Sequence, residues 1–315
     1  ALVKYHHMRE HPAVIRYTQE LILFVKILIY GQSAGNQILS WRLAPVCFSI
    51  HAASWQNNKV GSSETIRGMQ NIKNDFKFWL IGFTEGDGCF HVNKRGYCEF
   101  SLTQSSSDAQ VLFTIKKELG FGSVKKQCKK SKTHYYRVRD REGILKIIKI
   151  FNGNLLTDKK RKQFELWLNA FNFKFNSNIT LISSTNSPTL NNSWISGFTD
   201  AEGCFTASLV GRVKYSQVFV RYILSQKGEK ELMDSIALLF GGRISYQASY
   251  EGYNMTVNLR KLNKVINYFS TYPLKTKKRI SYNNWCKVHQ LVSNKEHFTL
   301  EGILKIKNLI SKINK

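Results

Sequence analysis

Two acidic residues stand at matching places in a repeated pattern. Leu80-Ile81-Gly82-Phe83-Thr84-Glu85-Gly86-Asp87-Gly88-Cys89-Phe90 returns as Ile195-Ser196-Gly197-Phe198-Thr199-Asp200-Ala201-Glu202-Gly203-Cys204-Phe205. In each copy an apolar run with small residues ends in a carboxylate followed by glycine. Gly82 and Gly86, like Gly197 and Ala201, are spaced i,i+4, so each run as a helix has a face on which another backbone can come close. Packing the two helices together sets Asp87 beside Glu202. The C-terminal end of a helix carries partial negative charge and disfavours a carboxylate. Two such ends repel further, and protonation or a divalent cation relieves the repulsion. Oxygen ligands alone, completed by water and phosphate, suit Mg2+ or the comparably hard Mn2+. A cation held by Asp87 and Glu202 can activate water and stabilise a leaving oxygen. Glu85 and Asp200, two residues earlier in each copy, are expected to cap or to pack the halves together. The plainer alternative is that Asp87 and Glu202 merely cap or pair with lysine; their recurrence at equivalent places argues against it.

The chemistry such a pair would act on is indicated by charge. The chain has 315 residues and a formal net charge of +26. Residues 1–70 carry 7 basic and 3 acidic side chains, residues 71–190 carry 21 and 10, and residues 191–315 carry 19 and 8. The excess is thus shared by both motif-bearing halves rather than confined to a tail. A polyanionic partner follows, and with paired carboxylates this suggests metal-assisted cleavage of a nucleic acid. Hydrophobic residues at 43% allow a real core. The six cysteines form no C-x-x-C pair, which indicates neither a disulfide framework nor a zinc site and fits a reducing compartment. Cys89 and Cys204 read as small buried apolar residues. The apolar run from Leu21 to Tyr30 is short and contains Lys26, so no membrane segment is expected.

Elements able to position the two acids can be traced on either side of them. Residues 1–70 lack the repeat and read as an extension, with a helix over 17–30. In the first copy Asp75 is expected to cap a helix through Phe76, Trp79, Leu80 and Phe83. Alternation then predicts a hairpin of Cys89–Arg95 and Tyr97–Gln104 about Gly96. A helix capped by Asp108 follows, then a basic hairpin over 123–130 and 134–140, and helices over 142–151 and 159–173. The second copy retraces the order, with hairpins at 204–211/215–226 and 243–250/253–259, helices over 229–240, 261–269 and 277–292, and a last helix over 300–313. Lys174 to Ser193, rich in Asn, Ser and Thr, reads as a linker. The expected domains are therefore an extension (1–70), a first lobe (71–173), a linker (174–192) and a second lobe (193–315), related by approximate two-fold symmetry.

With two motif copies, matching hairpins and αββαββα order in each half, the chain resembles the LAGLIDADG homing endonucleases in their single-chain, two-motif form. The resemblance covers about residues 74–315. The segments 273–278 and 296–302 look like the close of organellar intron-encoded members, and 30–36 and 62–67 look like the lead-in of fungal mitochondrial intron proteins, some of which double as RNA maturases. It implies an α+β fold of two pseudo-symmetric lobes with antiparallel, saddle-shaped DNA-binding sheets, a monomer acting on double-stranded DNA, and a mitochondrial setting. Translation in frame with an upstream exon, followed by cleavage, would account for a start at Ala1 without Met. The resemblance also places Gln104 and Gln226 where polar residues order active-site water. Lys159 and Lys277 fall where a basic residue lies near the scissile phosphate, or where a lysine simply contacts the backbone.

Strand alternation assigns the DNA face. With Phe90 and Val92 inward, His91, Asn93 and Arg95 point outward. With Phe100 and Leu102 inward, Ser101 and Thr103 point outward, as does Glu99. The second hairpin of the first lobe offers Lys125, Gln127, Arg137 and Arg139. The second lobe offers Thr206, Ser208, Arg212, Gln217, Arg221, Arg243, Ser245 and Gln247. A two-stranded ribbon fits the major groove, where such side chains read base edges. The leading expectation is a site-specific double-strand DNA endonuclease of intron homing, one that can also assist splicing of its own intron RNA. The alternatives are an RNA maturase that does not cut DNA, and a DNA-binding regulator.

Overall fold

The structure, a computed structural model, describes residues 73–184, 186–211 and 217–314. The expected N-terminal extension with its helix, and Arg212, lie outside the described residues. Helix α1 (Asn74–Asp87) runs directly into β1 (Gly88–Val92) and β2 (Cys98–Ser105). Helix α2 (Gln110–Leu119), strands β3 (Ser123–Lys126) and β4 (Thr133–Val138), and helices α3 (Arg141–Phe151) and α4 (Asp158–Phe175) complete the first half. The second half repeats this as α5 (Trp194–Glu202), β5 (Gly203–Val210), β6 (Gln217–Lys227), α6 (Lys230–Phe240), β7 (Arg243–Gln247), β8 (Gly252–Asn258), α7 (Leu262–Thr271) and α8 (Lys278–Ser293). Helix α9 (Leu300–Ile310) is added at the end, its first turn capped by Thr299 Oγ1 accepting from Gly302 N–H. The two four-stranded sheets are antiparallel, ordered β1-β2-β4-β3 and β5-β6-β8-β7. The fold is the expected two-lobe α+β arrangement.

Period-two alternation turns one face of each sheet inward. Phe90, Phe100 and Leu102 are buried in the first sheet, Phe205, Tyr222 and Leu224 in the second. Phe90 meets Phe151 and Phe164 edge-on, with centroids 5.3 and 5.2 Å away. In the second lobe Phe205 meets Phe269, Tyr282 and Trp285 in the same manner. Such edge-to-face clusters are a favoured aromatic packing. Between the sheets α1 and α5 pack on each other and merge the two clusters into one core.

Two expected caps are not made. The N-cap of α1 is Lys73, without a side-chain bond, and Asp75 lies inside the first turn. Asp108 belongs to a short 3-10 turn before α2 rather than capping it. Its carboxylate serves another helix, described below. The segment after α4 is pinned by asparagine amides: Asn172 brackets Ile179, and Asn152 brackets Thr180 and Ile182. No helix among the described residues is long and apolar enough to cross a membrane.

Candidate active site and nucleic-acid interface

Close approach of α1 and α5 is set by two glycines. A Cβ on Gly82 would lie 2.0 Å from the Trp194 carbonyl oxygen, and one on Gly197 would lie 1.9 Å from that of Trp79. Neither position has room for alanine. One turn on, a Cβ on Gly86 would lie 3.3 Å from Glu202 Oε1, so the Glu202 carboxylate reaches across to α1. Both helices end at a glycine with extended backbone, Gly88 and Gly203. A Cβ there would strike Thr84 or Thr199 Cγ2, at 2.3 and 2.4 Å. The chain therefore turns from helix to strand immediately after each acid, and Asp87 and Glu202 are brought to the same end of the pair.

Asp87 is solvent-accessible yet crowded by protein. That crowding raises its pKa, while the bond from Gln104 Nε2 to Asp87 Oδ2, 2.5 Å, and the nearby Lys278 and Lys160 oppose the rise. The Glu202 carboxyl is also pushed up, by burial first and by Asp87 second, with Lys278, Lys159 and Lys160 opposing. Gln226 lines an open pocket with Glu202 and Lys159. Lys159 and Lys277 are both exposed, and Lys277 Nζ lies 3.3 Å from Ser107 Oγ. The neighbouring lysines go inside instead. Lys160 Nζ donates to the Gly88 carbonyl, and Lys278 Nζ donates to the carbonyls of Thr199 and Ala201 at 2.9 and 3.2 Å. Burial lowers the pKa of each. Both ammonium groups thus sit at the negative ends of the paired helices.

The acids one turn back hold this arrangement together. Glu85, 2% exposed, accepts from the N–H groups of Leu156 and Thr157 and, across the junction, from Trp194 Nε1 at 3.0 Å. Asp200, 5% exposed, accepts from Lys275 and Thr276 and, across the junction, from Trp79 Nε1 at 2.8 Å. Both therefore have the packing role expected of them, and both are raised in pKa by burial. A second crossed pair fixes the lysine-bearing helices. Glu229 accepts from Asp158 and Lys159 N–H at the start of α4, and Asp108 accepts from Lys277 N–H at the start of α8. Each lobe caps the other's helix.

The outward faces carry the side chains that alternation assigned to them. His91, Ser101 and Thr103 lie opposite the buried Phe90, Phe100 and Leu102, and Thr206, Ser208, Gln217 and Arg221 lie opposite Phe205, Val220 and Tyr222. Lys125, Arg137, Arg243, Ser245 and Gln247 likewise lie off the buried face. Four positions differ in detail. Asn93 and Arg95 fall past β1 in a turn where Asn93 Oδ1 accepts from Arg95 and Tyr97 N–H, so their exposure comes from the turn. Gln127 lies past β3 and Arg139 past β4. Cys89 is not buried as expected: it is exposed, on the His91 face. All five described cysteines are free.

A family model described as LAGLIDADG endonuclease matches residues 80–171 and 195–289, more than half the chain. The chain belongs to the LAGLIDADG family. Along its full length it is 48% identical to a probable intron-encoded endonuclease 4 of Neurospora crassa, of which it spans 54%. Over 62% of its length it is 30% identical to an intron-encoded RNA maturase bI4 of Saccharomyces cerevisiae, of which it spans 29%. The chain thus spans about half or less of these two relatives. Among solved structures it is similar to the LAGLIDADG meganuclease I-AabMI bound to uncleaved DNA, with 26% identity, a TM-score of 0.67, and 76% of this chain and 99% of that one covered.

Within this LAGLIDADG site the donor set fits a hard divalent cation. Asp87 and Glu202 offer only oxygen, and burial raises the pKa of each carboxyl, which a bound cation would offset. Among the described residues no group of three or more His, Cys, Asp or Glu side chains is set to hold a metal. Two carboxylates completed by water and substrate phosphate match the habit of Mg2+ rather than a closed protein cage. Lys160 and Lys278 were missed at the level of sequence, though a signal was present. Lys160 shares the buried face of α4 with Phe164, Trp167 and Phe171, and Lys278 shares that of α8 with Tyr282, Trp285 and Val292.

Proposed function

We propose that this chain is a site-specific double-strand DNA endonuclease of intron homing. The observation that supports it best is the meeting of Asp87 and Glu202 at one end of a helix pair whose two glycines leave no room for a side chain. In this reading residues 71–173 and 193–315 are the two lobes, joined by 174–192, and the outward faces of both sheets bind one duplex. The side chains facing the duplex are those assigned by alternation, from His91 to Gln247. The protein acts as a monomer, in the mitochondrion.

Asp87 and Glu202 would hold Mg2+ or Mn2+ there, and the ion would supply an activated water and charge stabilisation at the leaving oxygen. Gln104 orients Asp87, and Gln226 on the other side orients water near Glu202. Lys160 and Lys278 neutralise the helix ends and favour the ionised form of both carboxylates. Lys159 and Lys277, at the rim, meet the DNA backbone.

The test is a panel of duplexes carrying candidate intronless exon junctions, incubated with Mg2+ and with EDTA. Metal-dependent cutting of both strands at one junction is expected. Tight binding without cutting, on a complete target with active metal, would overturn the endonuclease reading. Similarity to a protein named as an RNA maturase favours a second reading, a splicing cofactor for its own intron RNA. Asp87→Asn separates the two: it should abolish cutting and leave splicing intact.

A further inference from the structure

One acid sits among the bases on the outward face of the first sheet. Glu99, on β2, has a side chain only 14% exposed. Its Oε2 accepts from Arg139 Nε at 2.5 Å, and its Oε1 lies 2.8 Å from Arg137 Nε. The Arg137 contact is ionic, because that Nε–H is not aligned on the carboxylate and has no hydrogen-bond acceptor among the described residues. The Arg137 guanidinium instead lies over the Tyr135 ring, 4.0 Å from its centroid. Beneath, Trp167 Nε1 donates to the Glu99 carbonyl at 3.2 Å, so the strand carrying the acid is fixed as well.

In the second sheet the equivalent position has the opposite charge. His91 pairs with Glu99 across β1 and β2, and the corresponding pair is Thr206 with Arg221. Arg221 pairs across β6 and β8 with Asn258, and Ile223 with Thr256. Asn258 and Thr256 therefore occupy the places that Arg139 and Arg137 hold in the first lobe. No acid is present at this place, and Arg221 Nε is buried without a partner among the described residues.

A carboxylate on a phosphate-facing surface weakens binding, since every phosphate repels it. A surface selected only for affinity would lack it. Its return is geometric. An arginine free in solvent samples many rotamers, whereas one held by an ion pair and a stacked ring keeps its planar fork in one orientation. Such a fork matches guanine O6 and N7, the commonest specific contact in the major groove. Each Glu99 oxygen already carries an arginine, which leaves the arginines as the groups that read.

We propose that Glu99 is a positioning residue for specificity, holding Arg137 and Arg139 so that they read guanine in the half-site under the first lobe. This rests on the reading of the sheets as DNA-facing. In the second lobe Arg221 lies over the Phe219 ring, 5.7 Å from its centroid, but among the described residues no acid holds it, and that lobe discriminates less sharply at the corresponding positions.

The test uses the whole chain. Wild-type protein first selects duplexes from a random library in EDTA, so that binding is read without cutting. Affinity is then measured with each base at every position of the selected site, for wild type, Glu99→Gln and Glu99→Ala. Arg137→Ala and Arg139→Ala mark independently which positions those arginines read. In Glu99→Ala, guanine preference at those positions should fall about tenfold, while affinity for unrelated duplex rises because a negative charge is gone. Preferences under the second lobe should persist, and Glu99→Gln should be intermediate. Glu99→Ala combined with Arg137→Ala should lose less than the sum of the two. Unchanged guanine preference, or an even loss over both halves of the site, overturns the proposal. Glu99→Gln keeps size and one acceptor, and it carries the test if the alanine variant does not unfold cooperatively. If wild type selects no sequence, the DNA reading itself fails and takes this inference with it. If wild type selects and the Glu99 variants match it, only this inference fails.

Discussion

At the junction the two lobes mirror each other. Gly82 faces the Trp194 carbonyl as Gly197 faces that of Trp79. Glu85 takes the Trp194 indole as Asp200 takes that of Trp79. Lys160 and Lys278 donate to carbonyls at the two helix ends. On the outward sheet faces the likeness stops. The β3–β4 tip of the first lobe carries Lys125, Lys126, Lys129, Lys130 and Lys132, whereas the β7–β8 tip carries Tyr246, Tyr250 and Tyr253 with Glu251 paired to Lys227. Gln104 is bonded to Asp87, while Ser225 and Tyr250 both turn to Asn254. The difference follows from what each surface touches. A helix packed on its own near-copy constrains both, because a change in one must be met by the other. An outward sheet face is not packed on its near-copy, so each lobe's face can differ.

The junction should accordingly be the more fragile region, and equally so from either side. Gly82→Ala and Gly197→Ala each drive a methyl into a backbone carbonyl, with an expected loss of about 3 kcal/mol or more in urea unfolding. A loss in one and none in the other would break the mirror. The crossed caps should show a smaller and unequal effect. Glu229, 7% exposed, takes two N–H groups, whereas the more exposed Asp108 takes one. Glu229→Gln should cost about 1–2 kcal/mol and Asp108→Asn about 0.5 kcal/mol. The reverse order would show that the two caps are not set by burial. The tips should differ least in stability but visibly in salt response. Replacing Lys129, Lys130 and Lys132 by Gln should flatten the dependence of log Kd on log salt by about 1 for each lysine that had neutralised a phosphate. Replacing Tyr246 and Tyr250 by Phe should leave that slope unchanged, and equal slopes for both tips would erase the distinction.

The parts legible in the sequence were those with a short period. The i,i+4 small residues fixed which helix faces meet, and period-two alternation fixed which side chains leave the sheets. Local pattern misled where an interaction is long-range or where regular structure stops. Asp108 and Asp75 look like N-caps, yet Asp108 bonds to Lys277, far away in sequence. Within the doublets Lys159-Lys160 and Lys277-Lys278 the choice depends on helix phase, which the aromatic residues one turn on would have revealed. Asn93, Arg95 and Gln127 lie just past strand ends, where alternation has no authority. Glu99 reads as a lone acid in the sequence because its partners sit on β4 and just past its end.

In the proposed function Asp87 and Glu202 form one centre rather than two independent helix ends. The most direct measurement is strand-resolved cleavage of a cognate duplex, both strands labelled, by wild type, Asp87→Asn and Glu202→Gln in Mg2+, alongside binding in EDTA. Each variant should slow cutting of both strands by a factor on the order of 10² or more while still binding the duplex. Cutting of either strand at the wild-type rate by either variant would contradict the account.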